Sequence, residues 1–77
     1  MQKIIDNKLY DTDTAELLLT IRRFSVTRLY LSKNGTPFIT TTFGGISTIR
    51  GWEVKDLVLD HGSVELYTRL FGAPEEA

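Results

Sequence analysis

The chain has 77 residues, 42% hydrophobic and 25% charged, with nine basic against ten acidic residues and a formal net charge of −1. A single domain of that size buries only roughly 60% of the surface its unfolded chain exposes, and the composition lies well away from the low-hydrophobicity, high-charge signature of disorder. The balance favours neither a generally basic nucleic-acid binder nor an acidic nucleic-acid mimic, and the lack of cysteine excludes disulfides, thiolate metal sites and cysteine nucleophiles.

Ile4-Ile5, Asp6-Asn7-Lys8 and Leu9-Tyr10 read as two short extended pieces around a polar turn, because Asp and Asn bond their own backbone and tolerate turn dihedrals. Asp13 then supplies an N-cap oxygen, and Glu16 three residues on can reach back to the cap N–H, which predicts a helix over 14–23. Leu17, Ile21 and Phe24 recur at i, i+4 and i+7 with Leu18 beside them, an apolar stripe facing a core. Arg22 and Arg23 suit the negative C-terminal end of that helix.

Asn34-Gly35 lies between Val26–Ser32 and Phe38–Phe43, two runs rich in β-branched and aromatic residues, and predicts a hairpin with a two-residue type I′ turn. Counting back from that turn pairs Leu31 with Phe38 and Leu29 with Thr40 on one face, and Tyr30 with Ile39 and Val26 with Phe43 on the other. Pro37 cannot donate to a ladder, so the second strand needs an edge or an unpaired N–H there. Both faces of the sheet are partly apolar, which calls for cover on both sides or leaves one face for a partner. Gly44-Gly45 bends the chain before a short strand within Ile46–Arg50. Trp52–Leu59 reads as a further strand, although its alternation slips at Lys55-Asp56. Ser63 caps a closing helix with Val64, Leu66, Tyr67, Leu70 and Phe71 on its apolar face, and Gly72 and Pro74 stop it. Pro74–Ala77 forms a frayed acidic tail. The expected architecture is a small α+β domain spanning 1–77, two helices packed on an antiparallel sheet of three to five short strands in a β-α-β-β-β-α order.

No catalytic set assembles from these residues. His61 beside Asp60 has no nucleophile and oxyanion partner, and Ser63 lacks the Gly-x-Ser-x-Gly elbow. Asp11-x-Asp13 opens like a calcium loop, but the sixth position is Glu16 instead of Gly and the twelfth is Arg22 instead of Glu. Gly44-Gly45 lacks the Lys-Ser/Thr continuation of a phosphate-binding loop. Neither a catalytic group, a metal nor a cofactor is therefore expected. Arg22, Arg23, Arg28 and Lys33, with Phe24 and Tyr30 interleaved, form a basic run that could grip phosphates and stack bases. Acids dominate the second half, among them Glu53 and Asp56. Trp52, Tyr30 and Phe43 are the aromatic candidates for binding anchors, flanked by Arg28, Lys33, Glu53 and Asp56. The start lacks a secretory h-region and no stretch reaches the roughly 20 apolar residues that span a bilayer, so Met1 reads as the mature start of a cytoplasmic chain without a membrane partner.

The segment Ile4–Leu18, with Asp6-Asn7-Lys8, Leu9-Tyr10-Asp11-Thr12 and Thr14-Ala15-Glu16-Leu17, resembles the N-terminus of a widespread group of small proteins encoded on phages, plasmids and integrated elements. In place of that group's Gly-Glu-Gly-Gly stretch the chain has Thr42-Phe43-Gly44-Gly45. The resemblance implies a bacterial host, and it points to the anti-CRISPR proteins of that genetic setting, which inhibit a host defence complex by tight, non-catalytic binding. On this reading the chain, as a monomer or weak homodimer, binds a CRISPR effector complex and blocks target DNA access or a conformational step. The alternative is a small nucleic-acid-binding or regulatory protein working through Arg22, Arg23, Arg28 and Lys33.

Overall fold

Asp6 and Asn7 both adopt positive φ, 51° and 64°, in the left-handed region that Asp and Asn tolerate better than other side chains. In the computed structural model, which describes residues 1–77, they form the two-residue turn of an antiparallel hairpin between β1 (Gln2–Ile5) and β2 (Lys8–Asp11). The two extended pieces expected around this turn are thus a paired ribbon. Tyr10 and Ile5 face inward from it, while the directly opposed Ile4 and Leu9 face out.

A second sheet has the order β3-β4-β5-β6, all antiparallel, from Glu16–Arg22, Val26–Leu31, Pro37–Thr41 and Gly45–Thr48. Two helices follow, α1 over Gly51–His61 and α2 over Val64–Phe71. The expected class holds: an α+β domain with two helices against an antiparallel sheet of short strands. The expected element order does not, and two segments exchange their roles.

The helix predicted over 14–23 is the edge strand β3. Asp13 caps nothing; its N–H donates to Asp11 Oδ1 at 2.9 Å in a local turn, and Glu16 pairs instead with Arg69, 53 residues away. A bulge between Leu17 and Leu19 turns Leu18 and Leu19 together toward the helices, which is why the leucine run shows no alternation. The strand predicted over 52–59 is α1. The slip at Lys55-Asp56 belongs to a helical period in which Val54 and Val58, at i and i+4, are the buried residues. Glu53 Oε1 accepts from the Arg50 N–H at 3.2 Å, closing the first turn.

The β4–β5 hairpin forms, but with its register shifted by one residue from the expected pairing. The connection is the three-residue loop Lys33-Asn34-Gly35, with only Gly35 at positive φ, 88°. The Gly35 N–H donates to the Ser32 carbonyl at 2.9 Å and the Ser32 N–H to the Thr36 carbonyl at 2.9 Å. The pairs are therefore Leu31–Pro37, Tyr30–Phe38, Leu29–Ile39, Arg28–Thr40 and Thr27–Thr41, and Phe43 falls outside the strand. Because side chains alternate across a sheet, that single shift moves Phe38 and Tyr30 onto one face and Leu29 and Ile39 onto the other. Pro37 opens β5, and β6 ends opposite Phe38, so the missing N–H costs no ladder bond.

The result is three layers. On one face of the sheet the β1–β2 ribbon brings Tyr10 and Ile5 against Phe38, Ile46 and Tyr30. Phe38 lies between Tyr10, edge-on at 5.4 Å, and Tyr30, stacked at 5.2 Å. On the other face Val54 and Val58 of α1 and Leu66, Tyr67 and Leu70 of α2 cover Leu29, Ile39 and the bulged leucines. The sheet with two apolar faces thus has two different covers. Ser63 caps α2 as expected, its Oγ accepting from the Leu66 N–H at 3.1 Å, and Gly72 ends it with φ of 88°. Val64 and Phe71, expected on the apolar face of α2, are exposed. Residues 73–77 are exposed and without regular structure. Only seven of the 77 residues are buried, and the radius of gyration of 12.8 Å exceeds the about 11.5 Å of a typical domain this long, as expected of a flattened body with two thin cores.

Candidate interaction surfaces

Ten large apolar side chains are exposed, against six buried hydrophobic residues in the two cores together. Seven of them fall on three surfaces. Ile4 and Leu9 cover the outer face of the β1–β2 ribbon. Trp52, Leu59 and Val64 lie on the helical layer. Phe24 and Phe43 occupy the tips of the two turns at one end of the four-stranded sheet.

This last pair is held by a clamp between the turns. The Val26 N–H donates to Thr42 Oγ1 at 2.9 Å, the Thr42 N–H to the Val26 carbonyl at 3.1 Å, and the Thr42 hydroxyl to the same carbonyl at 3.3 Å. Gly44 and Gly45 make the bend after Phe43. The Gly44 N–H donates to Thr41 Oγ1, and a Cβ at Gly44 would lie 2.6 Å from that oxygen. The local chain chemistry therefore fixes both turns while their phenyl rings stay in solvent. Phe43 keeps 91% of its surface and Phe24 all of it. Arg22 and Arg23 adjoin Phe24, giving this end cations beside aromatics.

Trp52 and Asp56, at i and i+4 on α1, share an exposed face with Leu59. Lys55 bridges the two helices by placing its ammonium 5.8 Å from the ring centroids of both Tyr67 and Phe71. A cleft of about 280 Å³ opens at the α1–α2 corner, lined by Val58, Leu59, Val64, Tyr67 and the returning Pro74.

The residues singled out from sequence are not brought into one patch. Tyr30 and Arg28 share the ribbon-side face of β4, where Tyr30 is half-buried against Phe38. Phe43 is at the tip beside Phe24, and Lys33 lies in the β4–β5 loop at the opposite end of the sheet. Trp52, Glu53 and Asp56 are on α1, with Glu53 engaged by the Arg50 N–H. The basic run divides in the same way. Arg22 and Arg23 are separated from Lys33 by the length of β4, roughly 17 Å at the usual rise per strand residue. Phe24, expected both on the inward stripe of a helix and among the aromatics of the basic run, is at a turn tip, for which its placement between Arg23 and Ser25 just before a β-branched run is the available signal.

His61 is the exposed last residue of α1 and the Ser63 hydroxyl is engaged as a cap. Asp11 accepts from Gln2 Nε2 at 3.0 Å and from the Asp13 N–H, and these bonds, the Gln2 bond first, hold its carboxyl below the usual range. The Arg69 guanidinium holds Glu16 low in the same way, and Glu16 raises Arg69. No three acidic or histidine side chains gather closely enough to hold a metal ion, and no helix is long and apolar enough to cross a membrane. No family model matches the chain, and no curated protein or solved structure matches it.

Proposed function

We propose that this chain is a non-enzymatic, inhibitory protein-binding domain of mobile-element origin, acting in the cytoplasm of a bacterial host. The CRISPR effector complex implied by the resemblance of Ile4–Leu18 is its most specific candidate partner. The observation that carries the binding reading is the surplus of exposed over buried large apolar side chains. Aromatic anchors ringed by polar residues are the usual centres of an interface, and Phe24 and Phe43 are almost fully exposed. The rigid Phe24–Phe43 tip, flanked by Arg22 and Arg23, fits such an anchor best. Its backbone is already fixed by the Val26–Thr42 clamp, so docking it orders little chain. A domain of this size can present the about 800 Å² per partner of a standard interface.

Inhibition by occupancy has a definite signature. Titrating the purified chain into a purified CRISPR effector complex, with target DNA binding and cleavage followed in parallel, is expected to abolish activity near one equivalent. A stable complex should appear by size-exclusion chromatography. Complete inhibition at trace amounts, growing with time, would show turnover and overturn the non-enzymatic reading. An absence of both complex and inhibition across effector types would overturn the choice of partner.

A further inference from the structure

The β1–β2 ribbon and the β4–β5 loop leave between them a polar cleft at the margin of the Tyr10–Phe38 core. Its volume is about 470 Å³, within the range of small-molecule sites, and its lining includes Lys8, Tyr10, Asp11, Lys33, Asn34 and Thr36. Lys8 and Tyr10, two apart on β2, face the sheet from the ribbon side, while Lys33 and Asn34 reach the cleft from the loop. Two separate supersecondary units therefore supply the walls.

The charge in this cleft is set. Neither Lys8 nor Lys33 has an acidic partner, since the single ion pair of the molecule joins Glu16 and Arg69. The one acid, Asp11, is ionised and already accepts from Gln2 and Asp13, which leaves one further acceptor position on each carboxylate oxygen. Two ammonium groups lining one cleft suit an anion, and the compact, multiply charged oxyanion that lysines bind as point charges is phosphate. The remaining acceptor positions of Asp11, the Asn34 amide and the Thr36 hydroxyl suit hydroxyl and amide groups of an attached sugar or base, and Tyr10 borders the cleft from the core side. We propose that this cleft binds a phosphorylated, hydroxyl-bearing small molecule of mononucleotide size, with Lys8 and Lys33 holding the phosphate. The proposal is independent of the protein partner and of the Phe24–Phe43 tip.

Adenosine monophosphate is a suitable probe. Titrated into the ¹⁵N-labelled chain, it is expected to shift amides of residues 8–11, 14 and 32–36 saturably, leaving the helices unmoved. Inorganic phosphate should compete, and adenosine should bind at least tenfold more weakly. The Lys8→Gln/Lys33→Gln variant, altered only at exposed positions, should keep its dispersed spectrum and lose at least tenfold in affinity, and Lys8→Arg/Lys33→Arg should recover most of it. Shifts scattered over all lysines, equal binding of adenosine, or unchanged binding by the Gln variant would overturn the proposal. So would an oligonucleotide without terminal phosphates that binds the same residues more tightly than the mononucleotide, since the site would then belong to a nucleic-acid backbone.

Discussion

Replacing Tyr30 and Phe38 by leucine, singly and together, tests the register on which the two-core architecture rests. Phe38 is fully buried, with the Tyr30 ring stacked on it at 5.2 Å and an interplanar angle of 11°, and Tyr10 edge-on at 5.4 Å and 73°. Each aromatic pair contributes about 0.5–1.5 kcal/mol beyond the area it buries. Phe38→Leu loses both pairs and part of a filled volume, roughly 2–4 kcal/mol. A domain of 77 residues has a total stability of roughly 4–12 kcal/mol, and thin cores put this one toward the lower end. The variant is thus expected to stay folded but with a clearly lowered urea midpoint.

The discriminating quantity is the coupling between positions. Tyr30 and Phe38 are direct cross-strand partners, so their double-mutant cycle should show an interaction of about 0.5–1.5 kcal/mol, read from urea unfolding followed by circular dichroism. Leu31 stands opposite Pro37 and points to the other face, so Leu31→Ala and Phe38→Leu should add to within about 0.5 kcal/mol. The alternative register, with a two-residue turn at Asn34-Gly35, makes Leu31 the partner of Phe38 and reverses both results. Coupling at Leu31–Phe38 with none at Tyr30–Phe38 would refute the observed pairing and the assignment of Phe38 to the ribbon side.

Gly35→Ala and Gly51→Ala should have opposite signs: a Cβ meets open space at both, but Gly35 has φ of 88°, so alanine there costs about 1–2 kcal/mol in urea unfolding whereas at Gly51, opening α1, it is neutral or stabilising. Glu16 and Asp11 have folded pKa values below their ordinary values of 4.5 and 3.8, so their stabilising contribution is complete above those values and lost as pH falls through the lower folded ones; thermal melts from pH 6 to pH 2 should show this loss, and Glu16→Gln should reduce it. Phe24→Ser/Phe43→Ser should leave stability within about 0.5 kcal/mol, because neither ring is buried, yet weaken capture of the effector complex at least tenfold by surface plasmon resonance; unchanged capture removes the tip from the interface.

The features legible in the sequence are those decided within a few residues. The Asp6-Asn7 turn needs only side chains that tolerate positive φ, and the Ser63-capped helix only a hydroxyl, an apolar face and Gly72. The β4 and β5 strands were legible for the same reason, while their register was not, because Gly35 can serve either as half of a two-residue turn or as the last position of a three-residue loop. What failed depended on partners distant in sequence. Glu16 sits at capping distance from Asp13 in sequence, but Arg69 satisfies it, and the leucine run of β3 lost its alternation to a bulge. In α1, β-branched valines suggested a strand although they recur at helical spacing over Leu29. The candidate binding residues scattered because the sequence could rank aromatics and charges but not the ends and faces on which this topology places them.

The β1–β2 ribbon has two separable physical roles. From its inner side Tyr10, with Ile5, closes the core around Phe38 and Ile46, and Lys3 Nζ reaches the Ile46 carbonyl at 3.3 Å; without the ribbon this face of the sheet would lie open to water. From its outer side Ile4 and Leu9, directly opposed, add an apolar pair to the surface, and Lys8 turns toward the polar cleft. A ribbon of two four-residue strands that must cover a sheet needs a positive-φ turn and inward aromatic and aliphatic groups at fixed spacing. None of these requirements constrains its outer face or the Phe24–Phe43 tip. Substitutions on that outer face, at the far end of the sheet or on the exposed side of the helical layer are therefore compatible with the same fold.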